Sequence, residues 1–134
     1  MNGVIVVRSL LVADTGVTAL VPAVRIVAGM LPQGTTIPAI SLMSVSSTDR
    51  NIAAPGPNRR VSERVQVTVL AASYPAAKAI IRAVRAAAAD RMPAIDGLTD
   101  VTVHTDSAGP DFLDEETGIH MQTHDFRVSF NEAR

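Results

Sequence analysis

Arg60-Val-Ser-Glu-Arg-Val-Gln-Val-Thr-Val-Leu70 and, after Ala71 and Ala72, Ser73-Tyr-Pro-Ala-Ala-Lys-Ala-Ile-Ile-Arg-Ala-Val-Arg-Ala-Ala-Ala-Ala-Asp-Arg91 are the stretch on which the fold turns. In the first half Val61, Val65, Val67 and Val69 fall on one side, with Ser62, Arg64, Gln66 and Thr68 on the other. That period of two is the pattern of a half-buried strand. Glu63 shares the valine side and is placed near the strand's end. The second half has helical spacing. Ser73 suits an N-cap, and Pro75 falls in the first turn, where its missing N–H costs nothing. Lys78, Arg82 and Arg85 recur at i, i+4 and i+7 and define a wet face. Ala77, Ile80, Ile81, Val84, Ala87 and Ala88 are left for the packed one. So many alanines let the helix lie close to a flat sheet, and the preceding strand is its natural first partner.

The rest of the chain is consistent with a single domain over residues 1–134, long enough to bury a core of its own. Hydrophobic residues are 47% of it and charged residues 19%, a globular balance. One Tyr, three Phe and no Trp make that core aliphatic and argue against a stacking platform for bases or sugars. A net charge of −1 argues against a general nucleic-acid binder. Without cysteine there is no disulfide framework, thiolate nucleophile or Cys-based zinc site. The apolar opening is interrupted by Arg8 and Asp14 and broken by Gly16 and Pro22, short of the roughly 20 residues of a membrane span. The expectation is a soluble start with no membrane partner.

Val4, Val7, Leu10 and Leu11 predict an N-terminal helix, although the β-branched run Val4–Val7 pulls locally toward strand. Asp14 caps a second short helical piece that Pro22 ends. A short strand over 25–28 closes at Gly29, and Leu31-Pro-Gln-Gly-Thr-Thr-Ile-Pro38 is a loop. Residues 39–47 form a strand, with Ile40 and Leu42 on one side and Met43 and Val45 on the other. Residues 46–60, with two prolines and a glycine, read as a long loop between strands that would otherwise form a hairpin. Val101 and Val103 point inward from a fourth strand, residues 107–118 read as an acidic loop, and residues 119–130 form the last strand. The opposite parity of Ile119 and Met121 predicts a bulge or a change of buried face near Thr123.

Few residues here suggest chemistry. His104, His120 and His124 with Asp106 or Asp125 could in principle meet at a metal. Residues 120 and 124 are, however, about 13 Å apart along a strand, whereas metal ligands sit at about 2 Å. Asp114, Glu115 and Glu116 could serve acid–base work, but a charge run in a loop is ordinarily solvated. No phosphate loop, nucleophile elbow, zinc-protease or EF-hand motif is present. Arg50, Arg59 and Arg60, with Lys78, Arg82 and Arg85, form the basic groups. Set against Asp111, Asp114 and Glu115, they suit head-to-tail association of copies.

Leu10-Leu-Val-Ala-Asp-Thr-Gly-Val-Thr-Ala-Leu-Val21, Arg25-Ile-Val27, Leu31-Pro-Gln-Gly-Thr-Thr-Ile-Pro-Ala-Ile40, Glu63-Arg-Val-Gln-Val-Thr-Val-Leu-Ala-Ala-Ser-Tyr-Pro-Ala-Ala-Lys-Ala-Ile80 and Asp114-Glu-Glu-Thr-Gly-Ile-His-Met-Gln-Thr-His-Asp-Phe-Arg-Val128 carry a resemblance over nearly the whole chain. In order and character they resemble the tail-completion, or tail terminator, proteins of long-tailed phages and phage-like gene transfer particles. The resemblance implies an α+β fold: a mainly antiparallel sheet of about four to five strands, a long helix at about 74–91, and an N-terminal helix packed on the sheet. It also implies a structural virion protein, not an enzyme, without cofactor or metal. Such a protein forms a ring, a hexamer in the family, on the end of the tail tube. The ring stops elongation, offers a docking surface to the head connector or head-closure protein, and lets DNA transit its lumen. Its place is the head–tail junction of the virion, reached from the host cytoplasm during assembly. Asp49, Arg50, Arg59, Arg60, Asp111, Asp114 and Glu115 are the expected subunit or partner contacts. The alternatives are another neck component, a His-based metal hydrolase that would carry bound metal, and an unrelated monomeric binding module.

Overall fold

The computed structural model describes residues 2–134. Helix α1 spans Asn2–Ala13 and helix α2 Thr15–Thr18, followed by a 3-10 turn at Ala23–Arg25. Strand β1 is Ile26–Ala28, β2 Ala39–Arg50, β3 Asn58–Ala71, β4 Leu98–Asp114 and β5 Ile119–Ala133, with helix α3 at Tyr74–Ala88 between β3 and β4. The fold is α+β. Its single five-stranded sheet has the order β1-β2-β3-β5-β4, with β1 parallel to β2 and the other neighbours antiparallel. No helix among the described residues is long and apolar enough to cross a membrane.

Beta3 and α3 follow the sequence pattern closely. Val61, Val65, Val67 and Val69 are buried, and so are all six residues assigned to the packed face of the helix. The Ser73 hydroxyl accepts from the Ala76 N–H, with Pro75 in the first turn. The helix ends at Ala88 rather than at Arg91. Asp90 adopts a positive φ of 57°, and Arg91 instead exchanges two backbone hydrogen bonds with Val103. Helix α1 forms despite its valines because tertiary burial outweighs weak local preference. Val6, Val7 and Leu11 are fully buried, and Arg8 Nε donates to the Ile26 carbonyl at 2.9 Å.

Glu63 is not near a strand end. It lies mid-strand, fully buried, and its Oε1 accepts from the Gly3 N–H at 3.2 Å. Gly3 is needed there, because a Cβ would come within 2.8 Å of that carboxylate. The acid thereby joins the first turn of α1 to the sheet, at the positive end of the helix dipole.

Two expected loops are strands. Residues 46–50 extend β2 and pair with residues 60–64, from Ser46↔Arg64 to Arg50↔Arg60, residues 58–60 extend β3 against the end of β5, and only residues 51–57 remain as a turn. Residues 107–114 continue β4, paired as far as Asp114↔Ile119, so the acidic turn shrinks to residues 115–118. Polar, exposed composition suggested loops, whereas a long hairpin satisfies its backbone bonds internally and needs no buried face. The bulge expected near Thr123 belongs to the opposite strand. Beta5 runs in unbroken register against β3 from His120 to Ala133, while β4 shifts register at Thr105/Ser107 and Ala108/Asp111. Gln122, Thr123, His124, Asp125 and Phe126 are all buried in succession. Beta4 bends across Thr123 at Gly109, where any Cβ would collide with the threonine side chain.

Candidate assembly interfaces

The topology separates the charged tips. The β2–β3 turn, the start of β4 and the end of β5 lie at one end of the sheet; the β4–β5 turn and the start of α3 lie at the other. The span of β3 puts about 40 Å between them.

The first end holds Arg50, Arg59 and Arg60. Arg59 faces Asp49 at 3.5 Å, an exposed pair worth at most about 1 kcal/mol. Arg60 is tied inward: its Nη1 donates to the Asp100 carbonyl at 2.7 Å and lies 3.4 Å from Asn131 Oδ1. Arg50 meets no acidic side chain among the described residues. Of the three arginines, then, Arg50 is available, Arg59 is loosely engaged and Arg60 fastens β3 to the entry of β4.

The opposite end is acidic. Asp111 pairs with Lys78 at 3.2 Å, and the Lys78 ammonium lies 5.1 Å from the centre of the Tyr74 ring. Tyr74 meets His120 edge to face at 6.4 Å. Hydrogen bonds from Tyr74 and then Lys78 hold the Asp111 carboxyl below the usual range. Burial acts to lower the Lys78 ammonium, but its bonds to Asp111 and Tyr74 outweigh that and the net shift is upward. Asp114 accepts from the Glu116 N–H at 3.1 Å and shapes the turn; Glu115 is exposed. A shallow groove between α3 and the hairpin is lined by Tyr74, Ala77, Asp111, Phe112, Leu113 and Met121 among others.

A third charged group lies on the sheet face away from the helices, and sequence reasoning missed it. Arg64 reaches Asp125 through Nε at 2.7 Å and Nη2 at 2.5 Å, and its Nε lies 3.4 Å from Asp106. Asp106 in turn pairs with Arg127 at 3.2 Å. Two arginines and two aspartates thus neutralise one another. The available signal was parity: Arg64, Asp125 and Arg127 all sit on the non-valine side of their strands. The three histidines do not converge. His104 pairs with Asp90 at 2.9 Å, His120 abuts Tyr74, and His124 is buried, stacked on Phe126 at 4.6 Å. Burial, helped by the charge of Arg85, lowers the His124 pKa against the opposing pull of Asp125. Among the described residues no three potential ligands come together for a metal.

The element order, the sheet and these polar tips can be set against known proteins. The profile of tail completion protein gp17 matches residues 6–130. The chain belongs to the tail completion protein gp17 family. Its members are structural proteins of phage-type tails, and that is the role the membership gives this chain. Of the solved structures it is similar to, one is a chain of the virion of a native gene transfer agent particle. The TM-score is 0.72 at 20% identity, covering 93% of this chain and 91% of that one, so the fold is shared. No curated protein matches it in sequence.

Proposed function

We propose that copies of this tail-completion protein assemble as a ring, a hexamer by family resemblance, that caps the end of the tail tube and halts its elongation. The far side of the ring receives the head connector or head-closure protein, and DNA passes through the lumen. The reading assigns no catalysis and no cofactor. The observation that supports it beyond family membership is the polarity of the subunit: an arginine-bearing hairpin at one end of the sheet and an acidic hairpin about 40 Å away at the other. A collar that ends a tube must present unlike surfaces, since a face complementary to the tube on both sides would seed further growth. Asp49, Arg50 and Arg59 serve one surface and Asp111, Asp114 and Glu115 the other, with Arg60 bracing the first hairpin. Electron microscopy of particles lacking this protein tests the reading. Overlong or unjoined tubes beside filled capsids are expected; tubes of normal length joined to full capsids would refute it.

A further inference from the structure

Gln122 lines the groove between α3 and the β4–β5 hairpin, and its burial is not explained by the single chain. The residue is 7% exposed, and its Oε1 is buried without a hydrogen-bond partner among the described residues. Buried amide oxygens are nearly always paired, so an orphan acceptor beside an open groove leaves a place for a donor from outside. The groove encloses about 340 Å³, the small end of the range for ligand pockets. That suits one long side chain better than a cofactor.

Acceptor geometry, charge and lining together define the donor. Asp111 is the cross-strand partner of Gln122, so the carboxylate and the amide stand side by side on one face, their Cβ atoms about 5 Å apart. Two adjacent acceptors match a forked donor. Within residues 74–78 and 111–121, which form this end, the carboxylates of Asp111, Asp114, Glu115 and Glu116 stand against the one ammonium of Lys78, a net charge of −3 with His120 neutral. Such a surface repels phosphate and nucleic acid and attracts a cation. The walls are apolar and aromatic, with Leu113 and Met121 beside the rings of Tyr74 and His120. A guanidinium is planar and weakly hydrated, offers its N–H groups as a fork and stacks on rings, whereas an ammonium is a compact, strongly hydrated point charge. Lys78 lies 3.2 Å from Asp111 Oδ2, but a carboxylate accepts several donors, so it need not leave.

We propose that this groove is the socket for an arginine side chain of the protein that meets the acidic end of the subunit, with Gln122 Oε1 and Asp111 sharing the guanidinium. The inference rests on the ring reading above, in which that end faces another component of the tail or neck. Phe112 and Leu113, each about half exposed at the groove, are then covered by the residues flanking the arginine. A buried arginine ringed by contacts that exclude water is the anatomy of an interface hot spot.

Titration of the whole chain with N-acetyl-arginine amide, followed by NMR, tests the socket directly. Saturable shifts of the Gln122 side-chain amide and the Tyr74 ring are expected, with N-acetyl-lysine amide several-fold weaker. Gln122→Met keeps the side-chain length and removes the acceptor. It should hold or raise the thermal midpoint, because an unpaired buried oxygen is gone, and weaken arginine about tenfold or more, the loss expected of one hydrogen bond to a charged group. Asp111→Asn keeps the shape and should weaken arginine likewise. No saturable shift, or N-acetyl-leucine amide binding as tightly at the same residues, overturns the socket. In particles, the two substitutions together should impair one of the two junctions, tube capping or head joining, and spare the other. Both junctions at the wild-type level overturn the socket and leave the ring standing. Normal tubes joined to full capsids in particles lacking the whole protein overturn the ring reading, whatever the titration gives.

Discussion

Replacing Arg64 by alanine strands a buried carboxylate, and the cost can be worked from the structure. The guanidinium reaches one oxygen of Asp125 through two nitrogens, at 2.7 and 2.5 Å, with the Asp125 side chain 3% exposed and that of Arg64 38%. Removing one partner of a fully buried pair costs roughly 3–5 kcal/mol, because the remaining charge has lost its water. Arg64 is partly open, so water can re-enter beside Asp125, and the expected loss falls to about 2–3 kcal/mol. Unfolding entropy of roughly 2.1 cal/mol/K per residue gives about 0.28 kcal/mol/K for this length. The thermal midpoint should therefore drop by about 7–11 °C. Circular dichroism melts and urea titration measure it. Adding Asp125→Ala to Arg64→Ala should restore about 1–2 kcal/mol, since the stranded charge is then gone. A midpoint for Arg64→Ala within about 2 °C of wild type, or losses for the two substitutions that simply add, would refute the argument.

Replacing Arg50, Arg59 and Arg60 together by alanine is expected to lower ring formation or tail joining, read by native mass measurement and electron microscopy. Of the single changes, Arg50→Ala should reproduce most of the assembly defect, while Arg60→Ala should mainly lower the midpoint, because its guanidinium ties β3 to Asp100. His124 has a folded-state pKa below its ordinary value, so the unfolded chain takes up the proton first as pH falls. Stability should then decline as pH is lowered from about 7 through the ordinary histidine range near 6.5, and His124→Gln should flatten that decline in urea midpoints. Gly109→Ala pushes a methyl into the Thr123 side chain and is expected to cost about 1–3 kcal/mol. Thr123→Ala should recover part of that loss, and a Gly109→Ala chain as stable as wild type would show that β4 does not cross so close.

Much of the scaffold was legible because burial writes itself into spacing. The valines of β3 and the alternation of apolar and cationic residues in α3 were sufficient to identify both elements and the face each buries. Asp14 and Ser73 as caps were equally plain, since each must accept a specific backbone N–H. The hairpin extensions were not legible. From Ser46 to Arg60 and from Ser107 to Asp114 both strand faces are largely solvated, so no hydrophobic period marks them. The charged groups named from the sequence are present at the two tips. Their engagement depends on partners remote in the chain: Asp100 and Asn131 for Arg60, Lys78 for Asp111.

The sequence alone determined the helices, the apolar parts of the strands, the packed face of α3, the aliphatic core and the family resemblance, all of which follow from local spacing and composition. Tertiary structure decided that Glu63 is buried under α1, that Arg64, Asp106, Asp125 and Arg127 form one neutral network, and that the basic and acidic tips stand at opposite ends of the sheet. These features depend on strand order and register, and those are selected by which distant segments bury one another's apolar faces, a comparison that no single stretch of chain contains.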